Sequence, residues 1–193
     1  MPPLGLGRVR CFGWIGIRCK LCSTVAMASR CIRYLVGDAT RPQKISSRHV
    51  EHENQIIVHV CNDIGGWGAG FVVALSRRWR QPELEYRAWY EQRANNDFSL
   101  GAVQLVAVEQ HLWVANLVGQ RDVKMRGEVP PIRYDAVQRG LHRVAEAAKE
   151  RNATVHMPRI GCGLAGGSWD SIEPLILQEL VQEGVDVTVY DLP

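Results

Sequence analysis

Gln55-Ile56-Ile57-Val58-His59-Val60-Cys61-Asn62-Asp63-Ile64-Gly65-Gly66-Trp67-Gly68-Ala69-Gly70 is the stretch that decides the fold. It opens with a β-branched, nearly continuous apolar run, the pattern of a strand covered on both faces. Asn62-Asp63 ends the run, and a glycine-rich turn then leads into a helix expected over Ala69–Arg78. The same design returns later. The strand Thr154–Met157 is followed by Pro158-Arg159-Ile160-Gly161-Cys162-Gly163-Leu164-Ala165-Gly166-Gly167, and then by a helix expected over Trp169–Glu183. A glycine turn from strand to helix lets backbone N–H groups close on an anion, and the helix N-terminus adds positive potential. Glycine is needed because a Cβ would block the approach or forbid a positive φ. One such loop reads equally well as a tight turn. Two in one small domain can cradle a diphosphate from both sides.

Outward from these loops, further strands are expected at Cys31–Val36, Gly101–Val108, Leu112–Val118 and Val185–Asp191, and further helices at Glu83–Arg93 and Tyr134–Glu150. In the last of these, Val137, Leu141, Val144, Ala145 and Ala148 recur at three- and four-residue spacings and paint one apolar stripe. Strands alternating with helices indicate an α/β sheet with helices on its faces. The 193 residues suffice for one domain with a proper core, and no repeat or linker divides them. With 46% hydrophobic and 22% charged residues, the chain has the balance of an ordinary globular protein, and no apolar run reaches the length of a membrane span.

The formal charge of +3 belongs to the first 26 residues, which carry Arg8, Arg10, Arg18 and Lys20 and no acid. The other 167 residues hold 19 Lys+Arg against 20 Asp+Glu, so the body gives no electrostatic reason to bind nucleic acid. Three readings of this leader stand open: a mitochondrial presequence, a secretory signal, or a start of translation at Met27, the last being favoured because Met27 lies just before the first strand. Residues 1–26 are thus expected to be a disordered or mis-annotated leader, and 27–193 the domain. Four of six cysteines (Cys11, Cys19, Cys22, Cys31) cluster in or beside the leader. Cys19-Lys20-Leu21-Cys22 lacks a second ligand pair, so no metal site is expected. Cys61 and Cys162 alone in the body suit a reducing compartment rather than a disulfide framework.

The familiar nucleotide fingerprints fail. Neither loop ends in Gly-Lys-Ser/Thr, and the first glycine loop follows the second strand, where residues around Ala88 and Trp89 supply no clear partner. After the first strand comes Gly37-Asp38, either a turn or a carboxylate at the C-terminal edge of the sheet. Cys162 reads as a small packing residue, since no His stands in an evident partnering motif. His49-Val50-Glu51-His52 reads as a solvated loop, and His59 and His156 as core or sheet-face residues.

Four segments in order, Tyr34-Leu35-Val36-Gly37-Asp38-Ala39-Thr40, Ile57–Asp63 with its glycine loop, Met157–Gly163, and Thr188-Val189-Tyr190, resemble the macrodomain, the ADP-ribose-binding module. The resemblance covers roughly Cys31 to Pro193. Within the superfamily it is most similar to the branch of the chromatin-remodeller macrodomain amplified in liver cancer, together with the terminal ADP-ribose protein glycohydrolases and stand-alone bacterial relatives. It implies a three-layer α/β/α domain with a mixed central sheet. It also implies that Asp38, flanked by Gly37 and Ala39, takes the adenine amino group, that Tyr190 lies against the adenine ring, and that Asn62 reaches the distal ribose. Amides of Gly66, Gly68, Ala69 and Gly70 would hold the diphosphate from one side and those of Gly161, Cys162 and Gly163 from the other. Trp67, Phe71, Arg159, Ile160, Leu164 and Ala165 would complete the binding set.

The departures bear on catalysis. Related glycohydrolases use a lysine in the helix after the first loop and an aspartate just beyond Gly-Cys-Gly-Leu. Those positions here read Ser76 (or Arg77) and Ala165. The first glycine loop, Gly65–Phe71, also lacks the aspartate of other hydrolytic macrodomains. The expected function is binding of ADP-ribose with hydrolysis of mono-ADP-ribosyl groups from acidic side chains, Asn62 and Asp63 being the catalytic candidates. Asp63 reads equally as a helix- or turn-capping residue. A non-catalytic reader of ADP-ribosylated proteins is the alternative, and a nucleotide-using transferase a third. No cofactor, no direct nucleic-acid contact and no membrane contact are expected, and the chain is read as a cytoplasmic monomer.

Overall fold

The strand of the opening quotation, β4 (Asn54–Asn62), is the spine of the molecule. The computed structural model describes residues 31–44, 46–47, 50–51 and 54–192, so the leader, its three cysteines and its CxxC lie outside the described residues. On β4, Ile56, Ile57 and Val58 are all fully buried, as a strand covered on both faces requires. Around it lie β1 (Arg33–Val36), β5 (Val103–Glu109), β6 (Leu112–Gln120), β7 (Ala153–Pro158) and β8 (Val187–Asp191), in the order β1-β8-β7-β4-β6-β5. All neighbours are parallel except β5, which pairs antiparallel with β6, so the sheet is mixed as expected.

Helices cover both faces. On one, α3 (Tyr134–Arg151) and α4 (Trp169–Ile176) bury Val137, Leu141, Val144, Ile172 and Ile176 against Ile56, Val58, Val155, Met157, Val187 and Val189. Each large apolar side chain so buried contributes ~1.5–3 kcal/mol. Gly140 lets α3 sit directly on β6, since a Cβ there would fall 2.4 Å from Leu117 Cγ. Left-handed Asn152 (φ 48°) closes α3, with Lys149 and Arg151 in the last turn where cations suit the helix dipole. The other face packs α1 (Phe71–Arg78) and α2 (Gln81–Glu91) through Leu75, Trp79, Tyr86 and Trp89 onto Ile57, Cys61, Val114 and Val118. His59 and His156 lie within the sheet, as their positions implied. Burial drives their pKa down to about 4 and about 3, so both rings are neutral.

The structure corrects several local expectations. Helix α1 starts at Phe71, because Gly70 has φ +75° and cannot belong to it. Helix α2 starts at Gln81, since Pro82 fits the first turn, where its missing N–H is no loss. The helix read over Trp169–Glu183 is α-helical only to Ile176. It contains Pro174 and continues as a π-helical turn, Leu177–Val181, in which Glu179 is buried and accepts from Gln138 at 2.9 Å. Part of the supposed solvated loop around His49–His52 pairs instead: β2 (Ser46–Ser47) runs antiparallel to β3 (Val50–Glu51). Among the described residues no helix is long and apolar enough to cross a membrane.

Candidate functional site

Five parallel strands open their C-terminal ends onto one edge of the sheet. In spatial order that edge carries Gly37-Asp38 after β1, Leu192 after β8, residues 159–167 after β7, residues 63–70 after β4 and residues 121–131 after β6.

The loop after β4 is built on side chains. Pairing with β6 slips between Cys61 and Asn62, a bulge that re-aims the strand end. Asn62 is 7% exposed. Its Oδ1 accepts from Gly66 N (2.8 Å) and Ile64 N (3.2 Å), its Nδ2 donates to Gly66 O (2.6 Å), and Tyr86 Oη donates to its carbonyl (2.6 Å). From below, Arg87 donates to Trp67 O (3.1 Å) and Gly65 O (3.4 Å). Trp67 Nε1 donates to Ser76 Oγ (2.8 Å), which donates to Glu83 Oε2 (2.9 Å), and Glu83 Oε1 accepts from Arg87 in turn. Burial alone would raise the Glu83 pKa, but these hydrogen bonds from Ser76 and Arg87 hold it below the usual carboxylate range. Gly65 (φ +71°) presses on Tyr90, whose ring a Cβ would meet at 2.3 Å.

The loop after β7 is built on backbone. Gly167 N donates to Gly161 O (2.8 Å), Gly166 N to Gly163 O (2.9 Å), and Ile132 N to Ala165 O (3.1 Å). A Cβ on Gly167 would stand 2.6 Å from Gly161 O, so only glycine lets this loop close on itself. Each loop runs directly into a helix N-terminus, α1 at Phe71 and α4 at Trp169. The loops meet where Leu164 Cδ1 comes 3.4 Å from the place of a Gly70 Cβ. Nothing lies within 4 Å of a Cβ on Gly68 or Gly163. Among the described residues, the N–H groups of Gly68, Ala69, Gly70, Gly161, Gly163 and Leu164 have no acceptor. Two neighbouring sets of unpaired amides beside open space suit an anion.

At the β1 end, Asp38 is exposed. Its Oδ1 holds Thr40 through N (2.9 Å) and Oγ1 (2.8 Å), leaving Oδ2 with Arg41 at 3.8 Å. Arg159 pairs with Asp191 through two bonds (2.5 and 2.9 Å) and lies over the rings of Trp169 and Tyr34. The Arg159 hydrogen bonds hold the Asp191 carboxyl below its ordinary range. Burial pushes the Cys162 thiol up against the pull of Arg159, and its Sγ donates to Ile160 O, which fits a packing role rather than a nucleophile.

Gly37, Asp38, Trp67, Gly68, Ala69, Gly70, Phe71, Arg159, Gly161, Cys162, Gly163 and Leu164 all stand on this one edge of the sheet. Other expectations change. Tyr190 is 3% exposed, too deep for an open stacking surface. Its ring passes beneath Gly37, and its hydroxyl accepts from Gln43 N (2.9 Å) and meets His156 Nδ1 (3.1 Å). Asn62 turns inward, so its amide shapes the loop instead of reaching out. Gly66 N is taken by Asn62, and Cys162 N leans weakly on Arg159 O at 3.4 Å. Ile160, Ala39 and Ala165 are buried packing residues. Asp63 accepts from Asp122 N (2.7 Å) and faces Arg121 (3.8 Å), tying the β4 loop to the β6 loop. The Ser76–Glu83–Arg87 relay and the 121–131 loop went unread; only the four-residue spacing of Glu83 and Arg87 hinted at the first.

No family model matches the sequence. The chain is 34% identical over 167 residues, 82% of its length, to the Chromodomain-helicase-DNA-binding protein 1-like of Danio rerio. It spans 15% of that relative's own length, and 18% of the Mus musculus protein of the same name. Among solved structures, a protein of unknown function from Bacteroides thetaiotaomicron is 52% identical, with TM-score 0.76 over 83% of this chain and 98% of that one. A macrodomain protein from Streptomyces coelicolor is 54% identical, with TM-score 0.71 and the same coverage. At 20% identity, Thermosipho africanus DarTG, solved in complex with ADP-ribose, shares the fold (TM-score 0.57, 73% of this chain and 38% of that one). With 54% identity to the Streptomyces macrodomain protein over 83% of this chain and 98% of that one, and with the sheet and paired loops described above, this chain belongs to the macrodomain family.

Proposed function

We propose that this chain binds ADP-ribose along the C-terminal edge of its sheet. The observation that carries this reading is the pair of neighbouring glycine loops with unpaired amides and open space beside Gly68 and Gly163, with an exposed carboxylate, Asp38, two strands away. The diphosphate lies between Gly68–Gly70 and Gly161–Leu164. Neutral amides and two helix N-termini hold it without a lysine. Asp38 Oδ2 takes the adenine amino group. Asn62, Ser76, Glu83 and Arg87 position the first loop and do not touch the ligand. The fold neighbour solved with ADP-ribose supports the ligand's identity.

Hydrolysis of ADP-ribosyl esters is the second reading. It rests on Asp63, whose Oδ2 faces Arg121 at 3.8 Å, outside hydrogen-bond distance, and so can still orient a water. Asn62 no longer serves it, because its amide is engaged in the loop. A reader of ADP-ribosylated proteins needs the cradle alone.

Thermal unfolding with ADP-ribose tests the binding. At ~100 times its dissociation constant the ligand adds roughly 2.7 kcal/mol to stability. Asp38→Asn keeps an oxygen for Thr40 but removes the charged acceptor, and weakens binding by ~1–3 kcal/mol. A shift with ATP or NAD but none with ADP-ribose overturns the reading. Release of free ADP-ribose from modified protein, abolished in Asp63→Asn, which keeps an oxygen for Asp122 N, with melting unchanged, establishes the second reading; no release over hours leaves the reader.

A further inference from the structure

The order of the strands gives the bound ligand a direction. Asp38 follows β1 at one border of the sheet, the two glycine loops follow β7 and β4 in the middle, and residues 121–131 follow β6 on the far side. A ligand with its adenine at Asp38 and its diphosphate between the glycine loops therefore points its distal ribose toward 121–131. Whatever is attached to that ribose emerges against this segment.

The segment is held to both glycine loops. Asp63 accepts from Asp122 N at 2.7 Å on one side, and Ile132 N donates to Ala165 O at 3.1 Å on the other. Arg121 N donates to Pro131 O (2.8 Å), closing its base, and Arg126 and Val129 bridge antiparallel within it. Its surface is unusual for one that faces water. Among the described residues, eight large apolar side chains are exposed: Val36, Ile64, Leu84, Val123, Met125, Val129, Leu164 and Leu192. All but Leu84 belong to this edge, and three (Val123 47%, Met125 61%, Val129 54%) belong to this one segment. Apolar groups gathered on one face with a polar rim mark an interaction surface. The charges tell what kind. Arg126 is paired with Asp122 (3.5 Å) and Arg121 with Asp63 (3.8 Å), while Lys124 and Glu128 are exposed with no opposite charge within ion-pair distance among the described residues.

We propose that residues 121–131 are the docking surface for the polypeptide that carries the ADP-ribosyl group. Val123, Met125 and Val129 pack on apolar side chains flanking the modified residue, and Lys124 pairs with an acid beside it. A nucleic acid bearing the same group fits this surface less well, because Arg121 and Arg126 are already paired with acids, Glu128 offsets Lys124, and Val123, Met125 and Val129 offer no ring to stack on. The proposal rests on the ADP-ribose reading of the cradle and extends it from the small molecule to its macromolecular carrier.

The test compares free ADP-ribose, a peptide carrying ADP-ribose through a hydrolysis-resistant amide with apolar and acidic neighbours, and a single-stranded oligonucleotide carrying the same group. We expect the wild-type chain to bind the modified peptide about tenfold more tightly than free ADP-ribose, a gap of ~1.4 kcal/mol. The triple variant Val123→Ser, Lys124→Glu, Met125→Ser should bind free ADP-ribose as the wild type does and lose the whole tenfold preference. Should the triple variant melt early, Lys124→Glu alone, an exposed change, must still lose part of it. Equal affinity of the wild type for peptide and free ligand, or a preference unaffected by the variants, overturns the docking surface while leaving the cradle intact. Tighter binding of the oligonucleotide than of the peptide also overturns it. Absence of binding to free ADP-ribose in the wild type overturns the cradle reading and this proposal with it.

Discussion

The two glycine loops do the same work by opposite means. The loop after β4 takes its shape from side chains on three elements: Asn62 of β4, Ser76 of α1, and Glu83, Tyr86 and Arg87 of α2. The loop after β7 takes its shape from its own backbone, with Gly167 folded onto Gly161 and Ala165 tied to Ile132. A loop shaped by side chains can be adjusted from a distance through the helices beneath it. A loop shaped by backbone tolerates almost nothing but glycine where it closes. The difference sets where each loop can be broken.

Acid should act on the largest scale, and from beneath the first loop. His59 packs edge-on against Trp67 at 5.4 Å and is buried and neutral, and His156 is likewise neutral within the sheet. Both folded pKa values lie below the unfolded one, so below about pH 6.5 the unfolded chain takes up protons that the folded chain refuses. The stability these residues hold above that pH is lost as pH falls toward about 4 and about 3, at roughly 1 to 3 kcal/mol per pH unit while both lag. Denaturation midpoints measured between pH 7 and pH 4 check this, and His59→Gln should remove about half of the slope. A flat profile would mean that the rings are not excluded from water.

Gly167→Ala strikes the backbone-built loop. A methyl 2.6 Å from Gly161 O forces the loop apart, costing ~1–3 kcal/mol as overpacking does and abolishing ligand binding, read by urea denaturation and titration. Gly68→Ala, in open space on the other loop, should cost under ~1 kcal/mol, because nothing but helix-entry geometry resists it. Equal effects at the two sites would erase the distinction between the loops.

Ser76→Ala should act more mildly than Gly167→Ala. It severs the link between Trp67 and Glu83 in a half-buried relay, costing about 1 kcal/mol of stability, with a matching loss of ligand affinity as the loop loosens. Loss of affinity with stability unchanged would place Ser76 at the ligand instead.

The architecture was legible because it is written in periodicity and in glycine. The apolar stripe of Tyr134–Arg151, the buried run of β4 and the two glycine turns gave the elements, their order and the edge that carries the candidate site. Element ends were less legible where conformation is decided at single residues, as at Gly70 and at the π-turn after Pro174. The candidate site was legible as the placing of two glycine loops on one edge, and poorly legible as the direction its side chains take. Nothing local says whether a polar residue at a strand end turns out to the ligand or in to the chain. Asn62 turns in, because a bulge re-aims it toward Gly66. Tyr190 turns in, because His156 and Gln43 N offer its hydroxyl partners beneath the sheet edge. The 121–131 segment has no period and no glycine turn into a helix, so its place beside the cradle emerges only from strand order.

The central claim is that an open backbone cradle, and not any catalytic side chain, makes this edge a binding site. Gly163→Val tests it most directly, since its Cβ meets nothing within 4 Å, so the added side chain leaves the fold unstrained and occupies space beside the proposed diphosphate position. Calorimetric titration of wild type and variant with ADP-ribose, alongside their melting curves, is the measurement. The account predicts that the two chains melt within a degree or two of each other, that the wild type binds ADP-ribose, and that the variant shows no binding heat, because the diphosphate's place is filled. A variant that melts like the wild type and still binds ADP-ribose with the same affinity would contradict it.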